Sequence, residues 1–117
     1  MPKHALRPDV TTSKDLSSGA LSHTTAIGRK FKLESVSIHF SVAVTETVTI
    51  TRDSINGANY DTVLSKRDLD SEQDFIYKPS GEDNFQEGDE VKVQCTAANL
   101  TGVAYVTIKT SELLKGA

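Results

Sequence analysis

The residues able to do chemistry in this chain are few and scattered. Three histidines (His4, His23 and His39) accompany a lone cysteine, Cys95. Two groups of acids stand out: Asp68, Asp70, Glu72 and Asp74 at alternating positions, then Glu82, Asp83, Glu87 and Asp89. A zinc centre draws its ligands from Cys and His at close spacing, and neither His-Glu-x-x-His nor Cys-x-x-Cys occurs. A Gly-rich phosphate loop and a Gly-x-Ser-x-Gly nucleophile turn are also missing. His39 lies on the polar parity of an alternating segment, where a solvent-facing or inter-subunit role is expected before a metal or base role. The alternating acids offer oxygen ligands of the kind calcium takes, without matching a defined calcium loop. A paired-carboxylate glycosidase would also need a cleft lined with aromatics. The four Phe and three Tyr mostly occupy apolar strand positions and read first as core. The expectation is a protein that is not an enzyme and holds no cofactor, with calcium in the acidic loops left open.

Charge and composition set further bounds. At 117 residues the chain is expected to form one domain, and 25% charged residues is ordinary for a soluble globular protein. No apolar run approaches the roughly 18 residues needed to span a bilayer. Met1–Val10 is positively charged but has no apolar segment behind it, so no secretory signal is expected. Cys95 ends the alternating run Val91-Lys92-Val93-Gln94-Cys95 and reads as a buried structural thiol. Without an intrachain disulfide, the chain fits a reducing cytosol or a particle assembled there. The net charge of −3 hides an asymmetry. Residues 1–32 hold six Lys/Arg against Asp9 and Asp15, while the remainder holds seven against fourteen acids. A basic leader can lie on the acidic body of another copy, or can be a solvated, mobile end. The body's acidity argues against nucleic acid on its face.

The elements that would position these residues are strands. Residues 1–28 contain Pro2 and Pro8, and eight of the fifteen residues from Thr11 to Thr25 are Ser or Thr. This stretch reads as an extended basic arm, disordered in isolation or ordered by a neighbour, with Ala20–Ile27 able to add an edge strand. Its Lys3, Arg7 and Lys14, with the adjoining Arg29 and Lys30, are the candidate partner-binding residues. From Phe31 the period is two: Val36, Ile38 and Phe40 alternate with polar residues. Phe31 and Leu33 have the opposite parity, which predicts a bulge near Glu34-Ser35. Thr45-Glu46-Thr47 predicts a turn, followed by a strand at Val48–Thr51 and a loop carrying Asn56-Gly57. Strands are expected at Tyr60–Leu64, Phe75–Tyr77, Val91–Cys95 and Val103–Ile108. Lys66–Glu72 reads as a polar crossing and Ser111–Lys115 as one frayed helical turn. At Gly88-Asp89, Gly supplies the positive φ of a turn and Asp bonds nearby backbone amides. Residues 29–117 are therefore expected to form an antiparallel β-sandwich of jelly-roll or Greek-key type, an all-β fold preceded by the arm.

The succession Val36-x-Ile38-x-Phe40, Val48-Thr49-Ile50-Thr51, Tyr60-Asp61-Thr62-Val63-Leu64, Phe85-x-x-Gly88-Asp89-x-Val91-x-Val93 and Gly102-Val103-Ala104-Tyr105-Val106 resembles small virion structural proteins of tailed bacteriophages. The likeness covers roughly two thirds of the chain, from Leu33 to Ile108. It implies a β-sandwich present in repeated copies, localised to a virion assembled in the host cytoplasm. The partners it implies are virion proteins, either the major capsid protein or neck and tail proteins, and homo-oligomers within the particle. No membrane or nucleic-acid partner is expected. The matched positions belong to core and turns, so no site residue is carried over. Within that class the expected role is a capsid decoration or cement protein that bridges capsid subunits through its arm. Two alternatives stay open. One is a carbohydrate-binding or adhesin module of a fibre, stacking sugars on Tyr60, Tyr77 or Tyr105; the other is a ring-forming neck or tail connector.

Overall fold

The computed structural model describes residues 4–79 and 84–113, without the side chains of His4 and Leu113. Its strands are β1 (His4–Leu6), β2 (Val10–Asp15), β3 (Leu21–Ala26), β4 (Phe31–Val44), β5 (Thr47–Asp53), β6 (Thr62–Asp68), β7 (Glu72–Tyr77), β8 (Asn84–Phe85), β9 (Glu90–Cys95) and β10 (Val103–Leu113). One 3-10 turn, Ala58–Tyr60, interrupts them. The strands form where apolar and polar residues alternate. In β9, Val91, Val93 and Cys95 are buried while Lys92 and Gln94 are partly exposed.

The strands make two antiparallel sheets. In the first, β10 lies beside β4 on one flank and beside β1 and β2, end to end, on the other. The far side of β4 carries β7 and β8. The second sheet runs β3-β9-β5-β6. The pairings are nested: β2 with β10, β3 with β9, β4 with β7, and β5 with β6. The inner residues of both sheets share one core that includes Val36, Ile38 and Phe40 of β4, Ile50 of β5, Val93 of β9 and Ile108 of β10. Each such side chain contributes about 1.5–3 kcal/mol relative to leaving it in water.

The expected change of parity in β4 is present. Ser35 pairs with Lys109 and Leu33 with Thr110, which leaves Glu34 as the extra residue. Phe31, Leu33, Val36, Ile38 and Phe40 all face the core as a result. Other boundaries differ from expectation. Lys66-Arg67-Asp68 belongs to β6 and not to a crossing loop, because an edge strand keeps its charged side chains in water. The strand there begins at Thr62, and Ala58–Tyr60 forms the 3-10 turn instead. Ser111–Leu113 continues β10, where all three residues pair with β1 and Ser111 also pairs with β4; the rest of the expected helical turn lies outside the described residues.

The clearest difference concerns residues 4–26. Expected to run ahead of the domain, they are hydrogen-bonded into it. β1 and β2 form one edge of the first sheet, and β3, close to the strand expected at Ala20–Ile27, forms an edge of the second. Between β2 and β3 the chain changes sheets through a tight turn. Asp15 accepts bonds from the Ser17 amide (2.9 Å) and hydroxyl (2.7 Å), and Leu16 donates its amide to the Gly102 carbonyl at 2.9 Å. Leu16 is fully buried and joins the shared core. Leu16→Ala should therefore destabilise the whole domain by about 2–5 kcal/mol, as any core leucine would. Equilibrium denaturation checks this; a change under about 0.5 kcal/mol would mean that the segment is a free leader after all.

Candidate functional site

The candidate basic residues are divided by the fold. Lys3 lies outside the described residues. Arg7 and Arg29 converge on Glu112 of β10, with Nη1 at 3.3 and 2.8 Å from its Oε2. The Arg29 hydrogen bond is the largest effect and, with the Arg29 and Arg7 charges, holds the Glu112 carboxyl below its ordinary range against the upward push of burial. Lys30 is exposed in the turn beside Arg29. The structure thus gathers Arg7, Arg29 and Lys30 at one end of the first sheet, with one carboxylate between the two arginines. Lys14 is not part of this group. It pairs in register with Ala104, whereas the Arg7 amide bonds the Thr110 carbonyl, roughly 20 Å further along β10 at ~3.4 Å per residue. Charges that look contiguous in the leader are spread along a strand.

The outer face of the first sheet presents a second group. Register aligns Ser13, Tyr105, His39 and Asp74 across β2, β10, β4 and β7. His39 Nδ1 lies 2.8 Å from Asp74 Oδ1, with both side chains exposed, and Tyr105 is 49% exposed. A shallow depression beside it is lined by Thr11, Ser13, Tyr105 and Thr107. An open, flat arrangement of this kind can exchange hydrogen bonds with a polar ligand and offer a ring for stacking. It does not enclose a reacting group away from water. Of the other tyrosines, Tyr60 is exposed on the 3-10 turn beside the second sheet and Tyr77 is half-buried in β7. The three do not share one platform.

Four of the acids in the two sequence groups have separate partners. Arg67 donates to Glu72 at 2.6 Å, the Thr47 hydroxyl donates to Asp68 at 2.7 Å, and Asp74 faces His39. Glu82 and Asp83 lie outside the described residues. Among the described residues, no three His, Cys, Asp or Glu side chains converge in a way that could hold a metal ion. Asp89 is buried and accepts bonds from the Gln86 and Ile55 amides, both at 2.9 Å, fastening one loop to another. The neighbouring Gly88 has φ +94°, and an added Cβ would come within 2.6 Å of Ile55 Cδ1. This is the turn chemistry that Gly88-Asp89 announces in the sequence.

Glu46 is the feature that reading the sequence as a plain turn passes over. It is 1% exposed, yet it accepts the Thr96 hydroxyl at 2.7 Å and the Ala98 and Asn99 amides at 2.8 and 2.9 Å. Burial pushes its carboxyl up, and these three donors outweigh burial and hold it below the ordinary value of 4.5. The signal available beforehand was only an acid between two strands, without its distant donors. Nearby, burial first and the Glu46 charge second push the Cys95 thiol up to about 12, which leaves it un-ionised and unreactive at neutral pH.

Glu46→Ala should cost about 2–4 kcal/mol by releasing the 96–99 loop from its charged acceptor. Because the folded carboxyl titrates below its unfolded value, its contribution is complete above the unfolded value and disappears as pH falls through the folded one. Glu46→Gln should accordingly flatten part of the acid limb of stability below about pH 4.5, read by denaturant melts across the acid range. An unchanged acid limb would refute this role. In the native protein Cys95 should resist alkylation, reacting only at the rate of unfolding.

Comparison with protein-family models, curated proteins and solved structures finds no match to this chain.

Proposed function

We propose that this chain is a non-enzymatic structural subunit of a tailed-phage virion, a capsid decoration or cement protein built as a jelly-roll β-sandwich. The observation that carries the reading is the nested pairing of β2 with β10, β3 with β9, β4 with β7 and β5 with β6. A long hairpin rolled up in this way leaves sheet orders β2-β10-β4-β7 and β3-β9-β5-β6, the double Greek key that recurs in capsid and lectin domains. The described carboxylates are mostly engaged in holding loops and strand ends, which supports assembly over catalysis. Arg29 and Lys30, exposed at one end of the first sheet, are the residues offered to an acidic surface of a capsid subunit. Lys3, Arg7 and Lys14 are secondary in this reading; Arg7 shares Glu112 with Arg29 but is the less exposed of the two, its side chain 25% exposed against 56%.

A second reading, the sugar-binding module of a fibre, is favoured by one observation. Tyr105 stands exposed beside the His39–Asp74 pair on a face otherwise rich in Ser and Thr. Aromatic stacking with polar groups around it is how an open face recognises a sugar ring.

Mixed with capsids of the phage that encodes it, the protein should co-sediment and saturate at a ratio fixed by the capsid lattice. Arg29→Glu combined with Lys30→Glu should weaken this at least about tenfold, more strongly at low salt. Failure to co-sediment at any salt concentration, together with glycan-array binding lost in Tyr105→Ala, would replace the first reading with the second.

A further inference from the structure

The sheet edges are not protected equally. β6 carries Lys66, Arg67 and Asp68, β7 carries Glu72 and Asp74, and β2 carries Lys14 and Asp15. Charges of this kind keep a strand edge from pairing with a stranger. β3, Leu21-Ser22-His23-Thr24-Thr25-Ala26, carries none over six residues and pairs only with β9. The uncharged β1 and β8 are only three and two residues long. Among the described residues, no backbone hydrogen bond outside the strand pairing engages residues 21–26. Ser22, Thr24 and Ala26 are exposed. Every second residue of β3 therefore directs its amide and carbonyl away from β9, where no described strand pairs with them.

We propose that β3 is a self-association strand, pairing antiparallel with β3 of a second copy so that two β3-β9-β5-β6 sheets become one. A second copy is the occupant that fits, because the sequence of β3 is compatible with itself in an antiparallel two-fold arrangement. With His23 opposite its own counterpart, Ser22 faces Thr24 of the second copy and Leu21 faces its Thr25. With Thr24 opposite its own counterpart, Ser22 faces Ala26 and His23 faces Thr25. In both registers core-facing residues meet core-facing residues and outward ones meet outward ones, as paired strands require. Neither register opposes like fixed charges, and the Ser and Thr hydroxyls can bond across the junction. A charged peptide edge would gain nothing specific here. One six-residue edge buries less than the ~1,200–2,000 Å² of a stable interface, so the dissociation constant falls between about 1 μM and about 1 mM. Such an affinity becomes effective where many copies are held close together. The inference is independent of the virion reading, since it concerns the free protein in solution.

Sedimentation equilibrium of the full chain should show a monomer–dimer equilibrium in that range. Ser22→Lys with Thr24→Lys sets lysines against each other across the junction and should weaken dimerisation at least about tenfold. A charge-matched variant, Ala43→Lys with Thr101→Lys, alters exposed positions away from β3 and should leave dimerisation unchanged. A chain that remains monomeric up to about 1 mM, or a control variant that weakens dimerisation equally, would overturn the proposal. Should the β3 variant fail to fold, amide exchange in the unaltered chain decides. Slowing at residues 21–26 with rising concentration supports β3 pairing, and its absence overturns it.

Discussion

The fold depends on one strand placed late in the chain. β10 must enter between β4 on one side and β1 and β2 on the other, pairing with all three. Until it does, the first residues of the chain have no partner in their sheet, and one whole edge of β4 is open to water. The same closure brings Glu112 within reach of Arg7 and Arg29, and the Gly102 carbonyl within reach of the Leu16 amide. Pairings of such high sequence separation make loop closure costly before any contact rewards it, so slow, cooperative folding is expected of this topology.

Two buried acids make that closure exact at its corners. Asp89 fixes Ile55 against the turn before β9, and Glu46 fixes the 96–99 loop against the turn before β5. A buried carboxylate without donors would be strongly destabilising. Here backbone amides supply them, so each acid specifies one loop geometry and penalises alternatives. Turns held by a charge inside the molecule leave little of that charge to bind anything outside it. Glu46 and Asp89 are accordingly committed to the fold and are not offered to a ligand.

Much of the body was legible from its alternation: the strand at Val91–Cys95, the bulge beside Glu34, the turn between β4 and β5, and the Asp89 bond to the Gln86 amide follow from local pattern, whereas its bond to Ile55, 34 residues away, does not. The leader was harder for a physical reason. An edge strand buries one face and gives the other to water, so Thr11, Ser13, Ser22 and Thr24 can be polar without loss, and Thr itself favours strands. Its anchors, Leu16 and Leu21, flank a change of sheet and so show no period of two. Composition then resembles that of a disordered segment. Glu46 was illegible for another reason: its donors lie about fifty residues further along the chain, and no local pattern announces them.

This placement changes what the leader's charge means. A basic arm on an acidic body suggests attraction between copies, but Arg7 and Arg29 share Glu112, and the leader's Asp9 pairs with Lys109, all within the same chain. Exposed ion pairs of this kind contribute little stability, commonly under about 1 kcal/mol. The leader's long-range field is therefore weaker than the sequence suggests, and contact must add to it. On a flat-faced, small all-β domain the contacts with most left to gain are strand edges, whose outward amides and carbonyls are specific in direction and register. Charge guards the longer edges here except β3, so specificity in this molecule is set as much by where charge is withheld as by where it is placed.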